Sequence, residues 1–143
     1  MTASGSRSAC TALILMLMNH THAAGAPDAL PPCPDTPNCV SSQSTDPEHY
    51  IAPVAFTGPA EQAMQRMQRV LSELPRSSSI LQTGDYSHFE VRSLVFRFVD
   101  DIECLLDAEN QVIHIRSASR TGHSDFGVNR RRVEHIRDEF GKF

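Results

Sequence analysis

Five arginines between positions 116 and 132 hold the densest cationic chemistry in this sequence of 143 residues. Arg130, Arg131 and Arg132 fall in the opening turns of a helix predicted over 128–140, where the positive end of the helix dipole disfavours cations. Something must offset them. One candidate is a bound anion, held by the free N–H groups of the helix N-terminus together with Arg116 or Arg120 from the preceding strand and loop. The other is a set of ion pairs to Asp100, Asp101, Glu103 and Asp125. Residues 85–109 carry seven acids against Arg92 and Arg97, whereas residues 116–137 carry six arginines against Asp125 and Glu134. Such asymmetry marks either an internal ion-pair system, which these totals favour, or an anionic partner. Arg116, Arg120, Arg130 and Arg131, with Asp125 in the same loop, are the candidate ligand-binding residues.

Other reactive side chains are sparser. His88, Glu90 and His114 share one predicted strand face, and His123 sits in a glycine loop. A metal centre needs three or four converging ligands, and lone histidines on a polar face are more often solvated, so no metal and no cofactor is assigned. A hydrolase would use His123 or His114 as general base with Asp125 or Asp101 nearby, but neither a nucleophile elbow nor a phosphate loop is present. No catalytic residue is nominated.

The remaining chemistry is sulfur. Cys33 and Cys39 enclose five residues, two of them proline, in a loop that a disulfide can close. The spacing is not Cys-x-x-Cys, and too few ligands lie nearby for zinc. Cys104 falls on an apolar strand face and reads as a buried free thiol. Disulfides persist outside the cytoplasm, and the N-terminus agrees. Arg7, the apolar run from Ala9 to Met18 and the small residues around Ala23 and Ala24 have the layout of a secretory signal peptide, too short to span a bilayer. The mature protein is therefore expected in the periplasm or secreted, with nothing left to cross a membrane. Removal of Arg7 with the leader leaves 12 basic residues against 17 acidic. That balance argues against sequence-independent binding to nucleic acid, whose affinity comes from neutralising phosphates.

The elements that must position these groups follow from periodicity. Residues 25–58 are rich in Pro, Ser, Thr and Asp without a sustained period and form an arm around the Cys33–Cys39 loop. Gly58 and Pro59 open a helix whose apolar stripe is Ala63, Met64, Met67, Val70, Leu71 and Leu74, and Pro75 ends it. Period two then appears over 86–93, 101–107 and 112–119, with Phe89, Val91, Ile102, Cys104, Leu106, Ile113 and Ile115 on the apolar side. Residues 107–111 suit a hairpin, and 79–83 a further short strand. Residues 94–99 are apolar apart from Arg97 and are expected to tuck Phe96 and Phe98 inward. The last helix takes Val128, Val133, Ile136 and Phe140 as its core face, capped by Ser124 or Asp125. Residues 59–143 should then fold as an α+β domain of two layers: an antiparallel meander of about four strands, with the N-terminal and C-terminal helices packed on one face.

Three segments carry a resemblance: Cys33-Pro-Asp-Thr-Pro-Asn-Cys-Val-Ser-Ser42, Phe98-Val-Asp-Asp-Ile-Glu103, and Ile115-Arg-Ser-Ala-Ser-Arg-Thr-Gly-His-Ser-Asp-Phe-Gly-Val-Asn-Arg-Arg-Arg-Val133. They resemble a family of bacterial and plastid proteins catalogued as a domain of unknown function (DUF1499), and the likeness covers essentially the whole mature chain. It implies no catalytic residue, because that family carries no established activity. Three functions stand open. The first is a non-enzymatic extracytoplasmic binding or accessory protein for an anionic small molecule, lipid headgroup or acidic envelope-protein surface. The second is the small His/Asp hydrolase, and the third is a structural cell-envelope component with every arginine paired internally.

Overall fold

Gly58 takes a left-handed φ of 87°, a conformation open to glycine at no steric cost, and turns the chain into helix α1, Ala60–Glu73. Its stripe is buried as expected: Ala63, Met64, Met67, Val70 and Leu71 face inward, with Leu74 just beyond the last turn. The computed structural model describes residues 26–95 and 97–143. The predicted leader and Phe96 lie outside the described residues.

The chain is α+β, with two helices and a six-stranded antiparallel sheet among the described residues. Strands β3 (Ser77–Gln82), β4 (Tyr86–Arg92), β5 (Val99–Asp107) and β6 (Val112–Ser119) form the predicted meander. Two strands come from the arm instead. Strand β1 (Cys39–Ser41) pairs with β6 through Val40↔Ser117, and β2 (Val54–Ala55) pairs with the other end of β6 through Val54↔Ile113. Strands of three and two residues are too short to show an alternating period, so only pairing reveals them. Helix α2 follows as Val128–Phe140.

One core joins Met64, Met67 and Leu71 of α1, Val133, Ile136 and Phe140 of α2, and Val40, Phe89, Ile102, Cys104, Ile113 and Ile115 of the sheet. Two details differ from expectation. Val128 is 40% exposed, and Asn129 is fully buried in its stead, because the inward spacing runs 129, 133, 136, 140. Leu94 and Val95 project outward and Phe98 is 52% exposed. The β4–β5 turn is closed by main-chain and Ser93 hydrogen bonds to Phe98 rather than by burial of its side chains. The polar sheet face also carries a small apolar cluster, in which Leu30 of the arm packs on Tyr86 and Leu105.

Candidate functional site

Alternation along β5 and β6 sorts the charged residues onto two sides. Ser117 donates from Oγ to Asn129 of α2 at 2.6 Å, so it faces that helix. Its neighbour Arg116 points the other way and donates from Nη1 to Glu103 at 2.7 Å. Tyr86 donates to the second oxygen of the same carboxylate at 2.9 Å. Burial and the bond to Glu103 hold the Tyr86 phenol well above the ordinary tyrosine range. Arg120, from the end of β6, grips Asp101 through Nε at 2.8 Å and Nη2 at 2.7 Å, and Nη2 also meets Glu90. His88 Nε2 lies 2.7 Å from Asp101. Burial pushes the Asp101 carboxyl up, but the bonds from Arg120 and His88 outweigh it and keep the group below the usual carboxylate range. Cross-strand register makes this network possible, since His88, Glu103 and Arg116 are successive partners, as are Glu90 and Asp101.

The helix side is organised by Asn129, a residue the sequence reading passed over. Its amide donates to Asn38 O at 3.1 Å, Ser119 Oγ at 3.0 Å and Asp125 Oδ2 at 2.8 Å. Its carbonyl accepts from Ser117 and from Arg132 Nη1, each at 2.6 Å. Arg132 then reaches Asp100. A polar residue four positions before Val133, on the inward spacing of the helix, is the signal that would have found it. The N-cap position is held by Gly127, not by Ser124 or Asp125, yet Asp125 serves the helix start from two residues earlier. It accepts from the N–H groups of Gly127 and Asn129, both at 2.8 Å. These donors outweigh desolvation and lower its carboxyl pKa.

Arg130 and Arg131 behave differently. Arg130 donates to the carbonyls of Tyr50 and Glu48, both at 2.9 Å, and Arg131 to the carbonyl of Phe126 at 2.9 Å. Neither forms an ion pair among the described residues. Arg130 lines a cleft of about 260 Å³ with Pro37, Cys39, Glu48, Ser124, Asp125 and Gly127. The four candidate arginines thus do not converge. Arg116 and Arg120 occupy the face away from α2, and Arg130 and Arg131 lie on α2.

A larger groove of about 650 Å³ runs between residues 29–35 of the arm and residues 41–46, with His49 and His114 in its wall. His114 does not meet Asp101. Its Nδ1 is 3.1 Å from Ser42 Oγ, and its Nε2 is 3.7 Å from Asp107. Ser42 Oγ also accepts the Ile115 N–H at 2.9 Å while its own N–H bonds Ile115 O, so the side chain extends the β1–β6 ladder by one step. His123 is exposed in its loop. Among the described residues no group of three or more His, Cys, Asp or Glu is placed to hold a metal ion. Cys33 and Cys39 are joined, and Cys104 is buried and free.

A family model described as a protein of unknown function, DUF1499, matches residues 29–140. The chain belongs to the DUF1499 family. The match takes in the disulfide loop, the Asp100–Glu103 acids and the whole arginine segment, so the features built above fall within the family unit of this DUF1499 protein. No curated protein and no solved structure gives a match.

Proposed function

We propose that this DUF1499 protein is an exported, non-enzymatic binding or accessory protein that recognises an anionic group at the opening of α2 through Arg130 and Arg131. The observation that carries the reading is the contrast among arginines. Arg116, Arg120 and Arg132 are each neutralised by a carboxylate, whereas among the described residues Arg130 and Arg131 donate only to main-chain carbonyls. A guanidinium satisfied on one edge by carbonyls keeps its charge and further donors for a ligand. Arg130 lines a cleft with Ser124 and Gly127, in whose wall Glu48 and Asp125 also lie. Arg116, Arg120 and Asp125 then serve the scaffold: two tie the sheet's carboxylates and the third caps the helix. The reading takes the fold as two layers, supported by the single core that both helices share with the sheet.

Export rests on the leader pattern and on the Cys33–Cys39 bond, which an oxidising compartment preserves. No described helix is long and apolar enough to cross a membrane. Titration of inorganic phosphate into wild type and Arg130→Ala, followed by calorimetry and thermal melts, tests the site. Saturable binding lost in the variant at unchanged melting temperature supports it. Absence of binding to wild type rejects it in favour of a structural envelope component.

The hydrolase reading retains one favourable observation, the Ser42–His114–Asp107 alignment in the wall of the larger groove. Against it, the hydroxyl oxygen is already committed to the Ile115 N–H, and the carboxylate is beyond hydrogen-bond length. Labelling with a fluorophosphonate, abolished by Ser42→Ala, would revive it.

A further inference from the structure

Hydrophobic side chains scattered singly over a surface need no explanation, but a group of them in one place does. Leu94 and Val95 are 75% and 76% exposed at the tip of the β4–β5 turn, and Phe126 is 87% exposed in the loop between β6 and α2. These loops leave the same end of the sheet. Val99, which closes the first, accepts a hydrogen bond from the Arg120 N–H, which opens the second. Phe126 also holds a left-handed φ of 52°, as does Arg97 at 55°. An aromatic residue in that region is strained, and here the strain presents a ring to solvent instead of burying it.

Beside these side chains lie arginines without an ion-pair partner, with Glu48 in the cleft wall next to Arg130, although the whole chain carries a net charge of −4. Asp100 is neutralised by Arg132, Asp101 and Glu90 by Arg120 and Arg92, and Asp125 is turned inward on the helix N-terminus. Arg97, Arg130 and Arg131 form no ion pair among the described residues. Apolar tips with such arginines beside them, Arg97 two residues from Val95 and Arg131 bonded to the Phe126 carbonyl, match a surface with a hydrocarbon interior and anionic headgroups. An acidic protein surface would complement the arginines but would leave Leu94, Val95 and Phe126 without an apolar counterpart.

We propose that this end of the molecule docks on an anionic phospholipid bilayer, with Leu94, Val95 and Phe126 entering the headgroup–acyl boundary and Arg97, Arg130 and Arg131 meeting lipid phosphates. The headgroup contacts rest on the anion recognition proposed above. The apolar insertion rests on the two loops alone. The lipid phosphodiester thereby becomes the ligand class of the α2 site, and the protein is a peripheral reader of a membrane surface.

The test uses the chain lacking residues 1–24 with two kinds of vesicle, phosphatidylcholine alone and phosphatidylcholine with one-quarter phosphatidylglycerol, and inorganic phosphate as a soluble probe. Co-sedimentation of wild type with the anionic vesicles only, weakening as salt is raised, is expected. The double variant Leu94→Ser/Val95→Ser, and separately Phe126→Ser, should each lose about tenfold or more in vesicle affinity while keeping the wild-type melting temperature and phosphate binding. Absence of vesicle binding by wild type overturns the proposal, whatever phosphate does. Vesicle binding that the loop variants leave unchanged overturns it as well. Vesicle binding that depends on the loops, without phosphate binding, keeps the docking surface and rejects the α2 anion site instead. A concentration-dependent dimer abolished by the same substitutions assigns the patch to a second copy of the chain and also overturns it.

Discussion

Arg132 and Arg120 differ in what surrounds them, and their replacement should differ accordingly. Arg132 and Asp100 are 13% and 10% exposed, so Arg132→Ala leaves a buried carboxylate unpaired and also strips a donor from Asn129. A cost of about 3 kcal/mol is expected from urea unfolding. Arg120 is 44% exposed, and solvent discounts its pairs, so Arg120→Ala should cost about 1 kcal/mol or less. A histidine supplies a pH dependence. The bond from His49 to the Thr36 carbonyl raises its pKa above the ordinary 6.5, desolvation opposes, and Asp46 adds to the rise. A group raised in the folded state stabilises fully below its unfolded pKa and loses that contribution as pH climbs through the folded value. Stability should therefore fall as pH rises from below 6.5 through the elevated His49 pKa, and His49→Gln should flatten that segment of the pH–stability curve.

At the scale of the element, α2 depends on a cap that lies outside it. Gly127 precedes the first helical residue, yet Asp125 two positions earlier takes the Gly127 and Asn129 N–H groups. Asp125→Ala should cost about 1–2 kcal/mol, read as a lower urea midpoint. Asp125→Asn should recover part of it, since the amide oxygen can still accept. Because Asn129 also donates to Asp125 and bonds β6 and Asn38, Asp125→Ala should loosen the whole β1–β6–α2 junction. Hydrogen exchange at Ser117 and Ser119 reports that directly.

For the whole molecule, the Cys33–Cys39 bond fixes the arm just as it enters the sheet as β1. Reduction should cost about 2 kcal/mol on loop-closure grounds. Labelling of the protein lacking residues 1–24 should find no reactive thiol in the native, unreduced state and one, Cys104, after denaturation. Burial pushes the Cys104 thiol pKa well above its ordinary range, so the native form should be inert as well as shielded. Intact-mass measurement on exported protein should give an N-terminus near Ala24 or Gly25. A product that keeps residues 1–23 in the cytosol would count against export.

Sequence alone was enough for the features whose cause is local or periodic. Pro59, Pro75 and a 3.6-residue apolar stripe determine α1, and period two determines β4, β5 and β6 because a half-buried sheet demands it. The short Cys33–Cys39 loop and the inward place of Cys104 were legible on the same grounds. Tertiary structure decided what depends on pairing across the sheet. Register matched Arg116 with Glu103 and sent Arg120 to Asp101, on the face away from α2, while Arg132 serves Asp100 and Asn129 on the helix side. Only pairing with β6 made strands of residues 39–41 and 54–55, and only packing showed Asn129 buried and Val128, Leu94 and Val95 exposed. Periodicity tells which side of an element is apolar. Which side chains then meet, and which apolar ones are left in water, depends on contacts between residues far apart in the chain, and no local pattern encodes those.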